Sequence, residues 1–369
     1  MESFKSCQIA CLNLSVVLIS RLECFKCHRS KLIQQKCQIS SVCETNCSSI
    51  RFLLYLIFMK HRKERSSCPA VLDLFDQQYS EELGDLWPAA RAVLLDPHSW
   101  QYGVMLNRFS AVTDITQILQ SQGFSTLFLS IPSLQCYIHS CPLRFPSQAH
   151  RPGQLKQYYL LNAASLLPVL ALQVKDGEKV LDLCSAPGGK ALAILQSANP
   201  ALLCCNEPDP HRRDWLAKTL ESFLPRALHS SVIVSAQDGR TFGQSEAGLY
   251  DKVLVDAPCS NDRSWLYSRN IQQGGQRLKE RAKLPSLQAQ LLKSALSAVR
   301  PGGIVVYSTC TLSSFENCAV VETVLDDFPE AELEDLAGSS YRRGLGILVV
   351  PQPGKTWGPM FLCRIRRRK

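Results

Sequence analysis

Two cysteines that each follow an apolar segment are the residues of this chain best placed for covalent chemistry. Cys259 stands in the run Asp-Ala-Pro-Cys-Ser, and Cys310 stands in the run Ser-Thr-Cys-Thr. The apolar segment before each run predicts a buried strand, so both thiols are expected at strand ends. A thiolate can form a covalent intermediate with its substrate, which divides one difficult reaction step into easier ones.

A glycine-rich turn upstream of the thiols predicts a cofactor site. Residues 182–190 read Asp-Leu-Cys-Ser-Ala-Pro-Gly-Gly-Lys, follow a predicted strand and open a predicted helix. The glycine pair lets the backbone approach a ligand closely. The glycine spacings of a dinucleotide fingerprint and of a phosphate-binding loop are both absent. The cofactor-binding residues expected in this turn are Cys184, Ser185, Ala186, Pro187, Gly188, Gly189 and Lys190.

Three carboxylates stand at the ends of the next predicted strands. Glu207 can accept hydrogen bonds from both hydroxyls of a ribose, Asp238 is placed to meet an adenine edge, and Asp256 ends the fourth strand. Carboxylates around a glycine turn indicate an adenosine-bearing ligand without a pyrophosphate to neutralise. S-adenosylmethionine fits this pattern better than NAD or ATP, and with the two thiols it suggests methyl transfer through a covalent enzyme intermediate.

Strands and helices alternate after Gly177, which is typical of a mainly parallel, doubly wound, Rossmann-like α/β sheet. The predicted strands are Lys179–Leu183, Leu202–Asn206, Val232–Ser235, Lys252–Asp256 and Ile304–Ser308. The predicted helices between them are Lys190–Ser197, Arg212–Phe223 and Leu287–Arg300. Two late strands, Ile347–Val350 and Phe361–Ile365, are expected to close the sheet as an antiparallel hairpin.

The chain before this sheet divides into two predicted regions. From Pro69, apolar residues recur at helical spacing, which predicts a helical accessory and RNA-binding region over 68–157 with Trp87 and Trp100 in its core. Residues 158–172 are predicted to form a helix that leads into a catalytic domain over 158–369. No transmembrane helix is expected, because the longest apolar run near the N-terminus has only eight residues and a bilayer needs about 20.

Residues 1–67 are basic, poor in acidic residues and rich in cysteine, and they are expected to be poorly ordered. This composition fits an organelle transit peptide and fits equally well an extension without function. Seven of the 17 cysteines lie in the first 47 residues. The pairs Cys24/Cys27 and Cys43/Cys47 approach a zinc spacing, but the second pair is wider than the commonest form, so no metal is predicted. The absence of a clean signal peptide favours a reducing compartment.

The formal net charge is +9, and residues 1–67 and 364–369 account for more than all of it. An RNA footprint on the remaining chain must therefore be a local patch. The candidates are the loop-like run Arg263–Lys283 and the tail Arg364–Lys369. An ordinary solvated surface loop is the alternative for the first. The basic side chains of that run are Arg263, Arg269, Arg277, Lys279, Arg281 and Lys283.

From about Leu72 to its end, the chain resembles the Sun-domain (NSUN) family of RNA cytosine-5 methyltransferases. Three motifs stand intact and in family order, namely the 182–190 turn and the runs around Cys259 and Cys310. The wording of residues 158–168 and 259–266 is most similar to the mitochondrial branch of the family, which acts on the anticodon loop of mitochondrial methionine tRNA. The resemblance thus implies a tRNA substrate, a mitochondrial matrix location, no membrane association and a monomer.

The resemblance also implies roles for the site residues. Cys310 is expected to attack C6 of the target cytosine, and Cys259 is expected to assist release of the methylated product. Asp256 is expected to hydrogen-bond the flipped base. Lys190 is expected near the target base or the carboxylate of the cofactor. At Cys184, Cys204, Cys205 and Cys318 a buried structural thiol is the preferred interpretation.

Three other functions compete with this one. A non-catalytic RNA-binding or assembly factor on the same fold would be favoured if Cys310, Asp256 or the glycine turn were missing, and all are present. A DNA cytosine methyltransferase is disfavoured by the thiol at Cys310 and by the lack of a DNA target-recognition insert. The same chemistry on ribosomal RNA is disfavoured only by the closeness of the match to the tRNA branch.

Overall fold

The computed structural model of the protein describes residues 68–127, 134–267, 271–336, 342–343 and 345–368. The predictions for residues 1–67, including the zinc spacing and the transit peptide, and for Arg269 lie outside these residues. The described residues belong to one compact unit. Among them, no helix has the length and apolar character needed to cross a membrane.

A nine-stranded sheet carries the predicted site. Strands β5 to β9 are parallel, and β13 joins β9 in antiparallel fashion and is itself flanked by β10 and β12. The order is β11-β12-β13-β9-β8-β5-β6-β7, with β10 paired to β13. The strands are β5 (Lys179–Asp182), β6 (Leu202–Asn206), β7 (Val232–Ser235), β8 (Tyr250–Asp256), β9 (Val299–Thr309), β10 (Ala331–Glu334), β11 (Arg342–Arg343), β12 (Gly346–Val349) and β13 (Met360–Arg367).

Helices cover both faces of this sheet, and local signals set where several of them begin. The carboxylate of Asp209 accepts a hydrogen bond from the Arg212 amide at 2.8 Å, with Pro210 in the first turn. Proline also occupies the first turn of the helix that begins at Leu284. The helices are α4 (Leu167–Leu172), α5 (Gly189–Ser197), α6 (Pro210–Phe223), α7 (Phe242–Ser245), α8 (Asp262–Trp265), α9 (Ile271–Arg281), α10 (Leu284–Ala298) and α11 (Cys318–Asp327).

The doubly wound sheet predicted from the sequence is confirmed, including the closing antiparallel hairpin of β12 and β13. The helix predicted over 158–172 is wrong in its first part. Tyr158–Leu161 forms strand β4, a short 3-10 turn covers Ala163–Leu166, and only the last six residues form α4. Asn162 separates these elements, because its backbone is extended and its side chain accepts a hydrogen bond from the amide of Ala164 at 3.2 Å.

The region before β4 contains the predicted helices and, in addition, a small sheet. Helices α1 (Pro69–Leu83) and α2 (Trp87–Leu95) confirm the N-terminal helical prediction, and Trp87 and Trp100 are buried as expected. The helical prediction missed a four-stranded antiparallel sheet of order β2-β3-β1-β4. Its strands have three or four residues each, too few to show an alternating pattern. The remaining elements are β1 (Gly103–Leu106), α3 (Thr113–Ser121), β2 (Phe124–Thr126) and β3 (Cys136–His139).

The first helix packs into the core of the large sheet. Val71, Phe75 and Tyr79 of α1 are completely buried and share one hydrophobic cluster with residues of β8, β9 and α10. A second cluster on the other face of the sheet combines α4, α5 and α6 with the small sheet. The elements that precede the catalytic motifs in sequence are therefore part of the structure that supports them.

Candidate active site

The predicted functional residues meet at the carboxyl ends of the parallel strands. Strand β5 ends at Asp182, β8 ends at Asp256, and β9 ends at Thr309, and these strands are neighbours in the order β9-β8-β5. In a doubly wound sheet, ligands bind in the crevice outside this edge. The glycine turn, Asp256 and both thiols follow these strand ends, so the topology brings them together.

The two predicted thiols are in direct contact. The Sγ atoms of Cys259 and Cys310 are 3.2 Å apart, and the backbone amide of Cys310 donates to the Cys259 sulfur at 3.3 Å. The contact with Cys310 and burial raise the pKa of the Cys259 thiol well above its ordinary value. Cys259 therefore holds its proton at neutral pH, and its S–H can donate a hydrogen bond to the Cys310 sulfur.

A partly buried ion pair lies beside the thiols. Lys190 Nζ is 2.7 Å from Asp256 Oδ2, and Ser308 Oγ donates to the other oxygen of Asp256 at 3.0 Å. Burial acts to lower the pKa of Lys190, but the negative charges of Asp256, Cys310 and Asp182 outweigh it and raise that pKa. The lysine thus places a permanent positive charge within electrostatic range of the Cys310 sulfur.

The glycine turn forms one wall of a cavity of about 490 Å³, part of which is open to solvent. Gly188 has φ 103°, which favours glycine, and a Cβ on Gly189 would lie 3.0 Å from the ring of Tyr159. The turn therefore favours glycine at 188 through its backbone angle and at 189 through the tight contact with Tyr159. The lining residues are Tyr159, Leu160, Leu161, Ser165, Asp182, Cys184, Ser185, Ala186, Pro187, Gly189, Lys190 and Asp256.

Of the two carboxylates that line the cavity, Asp182 is the more deeply buried. Its side chain is completely buried, and burial, opposed by a hydrogen bond from Ser185 Oγ at 2.8 Å, raises its pKa to about 7. Within the part of the chain that the structure describes, no donor reaches its Oδ1 atom. A buried carboxylate oxygen without a partner at the wall of a cavity is suited to accept a hydrogen bond from a ligand.

The other two predicted cofactor carboxylates lie at the next strand ends and outside the cavity lining. Glu207 is buried, accepts a hydrogen bond from the amide of Asp209 at 3.0 Å and is 3.3 Å from the guanidinium of Arg212. Asp238 is about half exposed and pairs with Arg240. Burial, followed by the charges of Asp182, Asp256 and Glu207, raises the pKa of Cys184 well above its ordinary value, so this thiol stays protonated at neutral pH.

Comparison with known proteins relates this site to a family. A family model described as 16S rRNA methyltransferase RsmB/F matches residues 169–363. The tRNA (cytosine(34)-C(5))-methyltransferase, mitochondrial, of Danio rerio is 53% identical over 90% of this chain and 96% of its own length. The chain belongs to the RsmB/F family of RNA methyltransferases. The resemblance to Sun-domain RNA cytosine-5 methyltransferases that the sequence motifs indicate is thereby confirmed.

Two further proteins agree with this assignment. The Mus musculus protein of the same name is 47% identical over 81% of this chain and 91% of its own length. A solved structure described as a methyltransferase homolog protein from Pyrococcus horikoshii superposes with a TM-score of 0.61 at 25% identity, covering 81% of this chain and 98% of that one. The mouse protein thus agrees with the assigned enzyme class, and the archaeal structure agrees with the methyltransferase fold.

The basic run expected to grip RNA differs from its prediction. It is not a loop, since its described residues lie largely in α8 and α9. Arg263 is buried, lies 4.6 Å from the centre of the Trp100 ring and donates to the carbonyl of Thr356. Arg281 is also buried. The prediction that these two arginines grip phosphates is therefore wrong, whereas Lys279 and Lys283 are exposed.

The basic tail is likewise part of the fold. Residues 364–367 belong to strand β13, where Arg364 and Arg366 both pair with Glu334. Arg368 pairs with Glu332 at 3.5 Å. The prediction that the tail grips phosphates is wrong for Arg364, which is buried, whereas Arg366 is partly exposed, Arg368 is exposed, and only part of their charge is neutralised by β10.

A buried polar network behind the thiols is the part of the methyltransferase site that sequence reasoning missed. Its central residue is Glu316, which is 1% exposed and forms a 3.4 Å ion pair with Arg281. Glu316 stands two residues before helix α11 begins at Cys318, and in the sequence it resembles an ordinary surface or helix-cap residue. Its position six residues after Cys310 is the only signal that could have identified it. The network members are Tyr79, Ser260, Asp262, Arg281, Gln288, Thr311, Glu316 and Asn317.

Proposed function

We propose that this enzyme methylates C5 of cytosine 34, the first anticodon position, in mitochondrial methionine tRNA, as a monomer in the mitochondrial matrix. The observation that carries the chemistry is the pair of thiols 3.2 Å apart beside the Lys190–Asp256 ion pair. The similarity to the Danio rerio and Mus musculus tRNA enzymes supports the substrate and the location. An anticodon base lies in a loop, and a loop base costs less to extrude than one in a duplex.

The need for a thiol follows from the substrate. C5 of cytosine is too weak a nucleophile to attack a methyl sulfonium, but addition of a thiolate to C6 makes C5 enamine-like. After methylation the C5 proton leaves, and the bond between sulfur and C6 breaks with its electron pair returning to sulfur. The positive charge of Lys190 lies within electrostatic range of the Cys310 sulfur, which supports Cys310 as the sulfur that attacks.

Cys259 is proposed to assist release. Its raised pKa keeps it protonated, and its sulfur contacts the Cys310 sulfur. When the bond to C6 breaks, Cys310 regains a negative charge that the Cys259 S–H can stabilise by hydrogen bonding. Removal of Cys259 is therefore expected to slow release more than attack, so the covalent adduct should accumulate.

Asp256 is proposed to hold the target base. Its carboxylate lies at the cavity wall, fixed by Lys190 and Ser308. A carboxylate can accept hydrogen bonds from the exocyclic amine of cytosine and from N3 when that nitrogen carries a proton. The proton on N3 neutralises the negative charge that thiolate addition brings onto the ring, and the carboxylate of Asp256 would hold the base in that form.

The cavity residues fit S-adenosylmethionine, which supplies the methyl group when bound. The unpartnered Oδ1 of Asp182 is suited to the cationic end of that cofactor. The 184–190 turn would contact the cofactor through the backbone of the turn, Glu207 would bind the ribose, and Asp238 would bind the adenine. Since Arg240 contacts both oxygens of Asp238, the adenine would have to use a remaining lone pair.

A denaturing gel tests this proposal. Cys259→Ala protein is incubated with S-adenosylmethionine and transcribed mitochondrial methionine tRNA, and a slow-migrating protein–RNA band is expected. The band should vanish in Cys259→Ala/Cys310→Ala and with a transcript in which cytosine 34 is uridine. The matched control is Cys141→Ala, which removes an exposed cysteine and should release its product as the wild type does.

The other outcomes discriminate the alternatives. If the wild type transfers labelled methyl to the tRNA but no Cys259→Ala band forms, the division of labour between the thiols is wrong. The family model is described by an rRNA activity, so a small-subunit rRNA fragment should be tested beside the tRNA. Methylation of that fragment alone would overturn the tRNA assignment, and no methylation of either RNA would favour a binding factor. A reporter carrying residues 1–67 that stays diffuse in the cytosol would contradict targeting by that segment.

A further inference from the structure

The carboxylate of Glu316 fixes the chain on both sides of Cys259. Its Oε2 accepts from the amide of Ser260 at 2.9 Å, and its Oε1 accepts from the hydroxyl of Ser260 at 2.6 Å. Gln288 donates through the same Nε2 atom to Glu316 Oε2 at 3.0 Å and to the carbonyl of Pro258 at 2.8 Å. Pro258 and Ser260 are the two chain neighbours of Cys259.

The side chain of Asn317 does the same for Cys310. Its Oδ1 accepts from the hydroxyl of Thr309, and its Nδ2 donates to the carbonyl of Thr311 at 3.0 Å. Thr309 and Thr311 are the two chain neighbours of Cys310, and both are completely buried. Asn317 is itself 2% exposed, so water does not compete for these bonds.

We infer that Glu316 and Asn317 are positioning residues that set the relative placement of the two thiols. Because the two residues are adjacent in the chain, one dipeptide fixes the Cys259 segment and the Cys310 segment against each other. The backbone of this dipeptide is tied to the sheet by Tyr307, whose hydroxyl donates to the carbonyl of Glu316 at 2.6 Å. This inference rests on the proposed roles of Cys310 in attack and Cys259 in release.

A carboxylate fits position 316 better than an amide. Its two oxygens accept from the Ser260 amide and hydroxyl, Arg281 Nε and Gln288 Nε2. An amide would turn its NH2 group toward two obligate donors, the Ser260 amide and Gln288, in one orientation, and toward Arg281 in the other. Glu316→Gln should therefore loosen the chain segment around Cys259 without changing the size of the side chain.

Position 317 has the complementary requirement. The Asn317 amide meets one donor and one acceptor, so Asn317→Asp places an oxygen against the carbonyl of Thr311. The two isosteric substitutions thus loosen different thiols. Glu316→Gln should impair release, and Asn317→Asp should impair attack.

The fold alone does not require a buried charge at position 316. A buried ion pair such as Glu316–Arg281 is often replaceable by apolar residues without loss of stability. The double substitution Glu316→Gln/Arg281→Met removes both charges of this pair, together with the Arg281 donor to Tyr79, and is the second variant if Glu316→Gln alone fails to fold. A purely structural role predicts normal turnover per folded molecule in that double variant.

The test combines turnover with the adduct gel. Relative to wild type, Glu316→Gln and the double variant should lower kcat about 100-fold, the usual consequence of a misplacement of about 1 Å. Their KM for the tRNA should change less than about threefold, and they should accumulate the covalent band that Cys259→Ala gives. Asn317→Asp should lower kcat as much and, in a Cys259→Ala background, should reduce the band at least about 10-fold.

Glu334→Gln is the matched control, since it also breaks an arginine pair but lies on β10, away from the thiols, and it should keep wild-type turnover. If Cys259→Ala gives no band, the proposed roles of the thiols fail and not the positioning inference. If Cys259→Ala gives the band but folded Glu316→Gln and the double variant turn over normally or trap nothing, the inference is overturned. Full band formation by Asn317→Asp in the Cys259→Ala background would also overturn it.

Discussion

The charge on Asp182 should make the apoenzyme less stable as pH rises, and Asp182→Asn should remove this effect. The folded-state pKa of about 7 lies above the value of 3.8 expected in the unfolded chain, and burial is the main cause. Between these two pH values the unfolded state has already released a proton that the folded state still holds. The free energy of unfolding therefore falls as pH rises through this window, and the loss is complete above pH 7.

The size of the effect follows from the pKa difference. From pH 5 to pH 8, the folded-state titration near pH 7 leaves about two pH units of differential protonation, which correspond to roughly 3 kcal/mol at about 1.4 kcal/mol per unit. The stability of Asp182→Asn relative to wild type should rise by that amount over the same range. The new amide is expected to cost about 1–3 kcal/mol because its NH2 group is buried where Oδ1 has no partner. This cost is the same at both pH values, so the difference isolates the ionisation.

Urea unfolding at pH 5 and pH 8 without cofactor measures the effect. Asp214→Asn, on the exposed face of α6, is the control for loss of an aspartate and should shift stability by less than about 0.5 kcal/mol at either pH. A second readout is the stabilisation by S-adenosylmethionine, which should be large in wild type and weak in Asp182→Asn. If the variant loses stability from pH 5 to pH 8 as steeply as wild type, Asp182 does not carry a penalised charge.

Three other measurements check different parts of the structure. Gly188→Ala should lower the free energy of unfolding in urea by more than the roughly 1–2 kcal/mol expected from its φ alone, because the new Cβ would lie 3.1 Å from a leucine methyl. Gly177→Ala is the control, since Gly177 has φ 82° and open space around it. Equal losses of stability in the two variants would refute the packing argument. Iodoacetamide on the native protein should label exposed Cys141 and spare buried Cys136, whose pKa burial raises to about 12; peptide mass spectrometry showing the reverse order would contradict the burial. Deletion of residues 364–369 should abolish folding, as measured by circular dichroism, because residues 364–367 form half of β13. A folded product with weak RNA binding would instead support a phosphate-binding role for this tail.

The sheet and the meeting of the thiols were predictable, because parallel strands place their carboxyl ends at one edge whatever their exact bounds. Cys259 and Cys310 needed only the assignment of β8 and β9 to be brought together. The fate of the arginines was not predictable in this way. Nothing near Arg263 in the sequence shows that it stacks on Trp100, and the ion-pair partner of Arg364, Glu334, lies 30 residues before it. Contacts between residues far apart in the sequence decide which basic side chains stay exposed, and these contacts cannot be read from the local composition.

Tyr79 gives the first helix a direct part in the integrity of the catalytic edge. Its hydroxyl donates to Asp262 at 3.1 Å and accepts from Arg281 at 3.1 Å, within the same buried network that holds both thiol segments. Helix α1 ends almost 100 residues before the first methyltransferase motif, yet it cannot separate from the motifs in the structure without opening the site. Loss of activity on heating should coincide with a single cooperative melting of α1 and the sheet. A fragment that begins at residue 158 would leave the network without its tyrosine, so the accessory region is not an independently exchangeable module in the evolution of this fold.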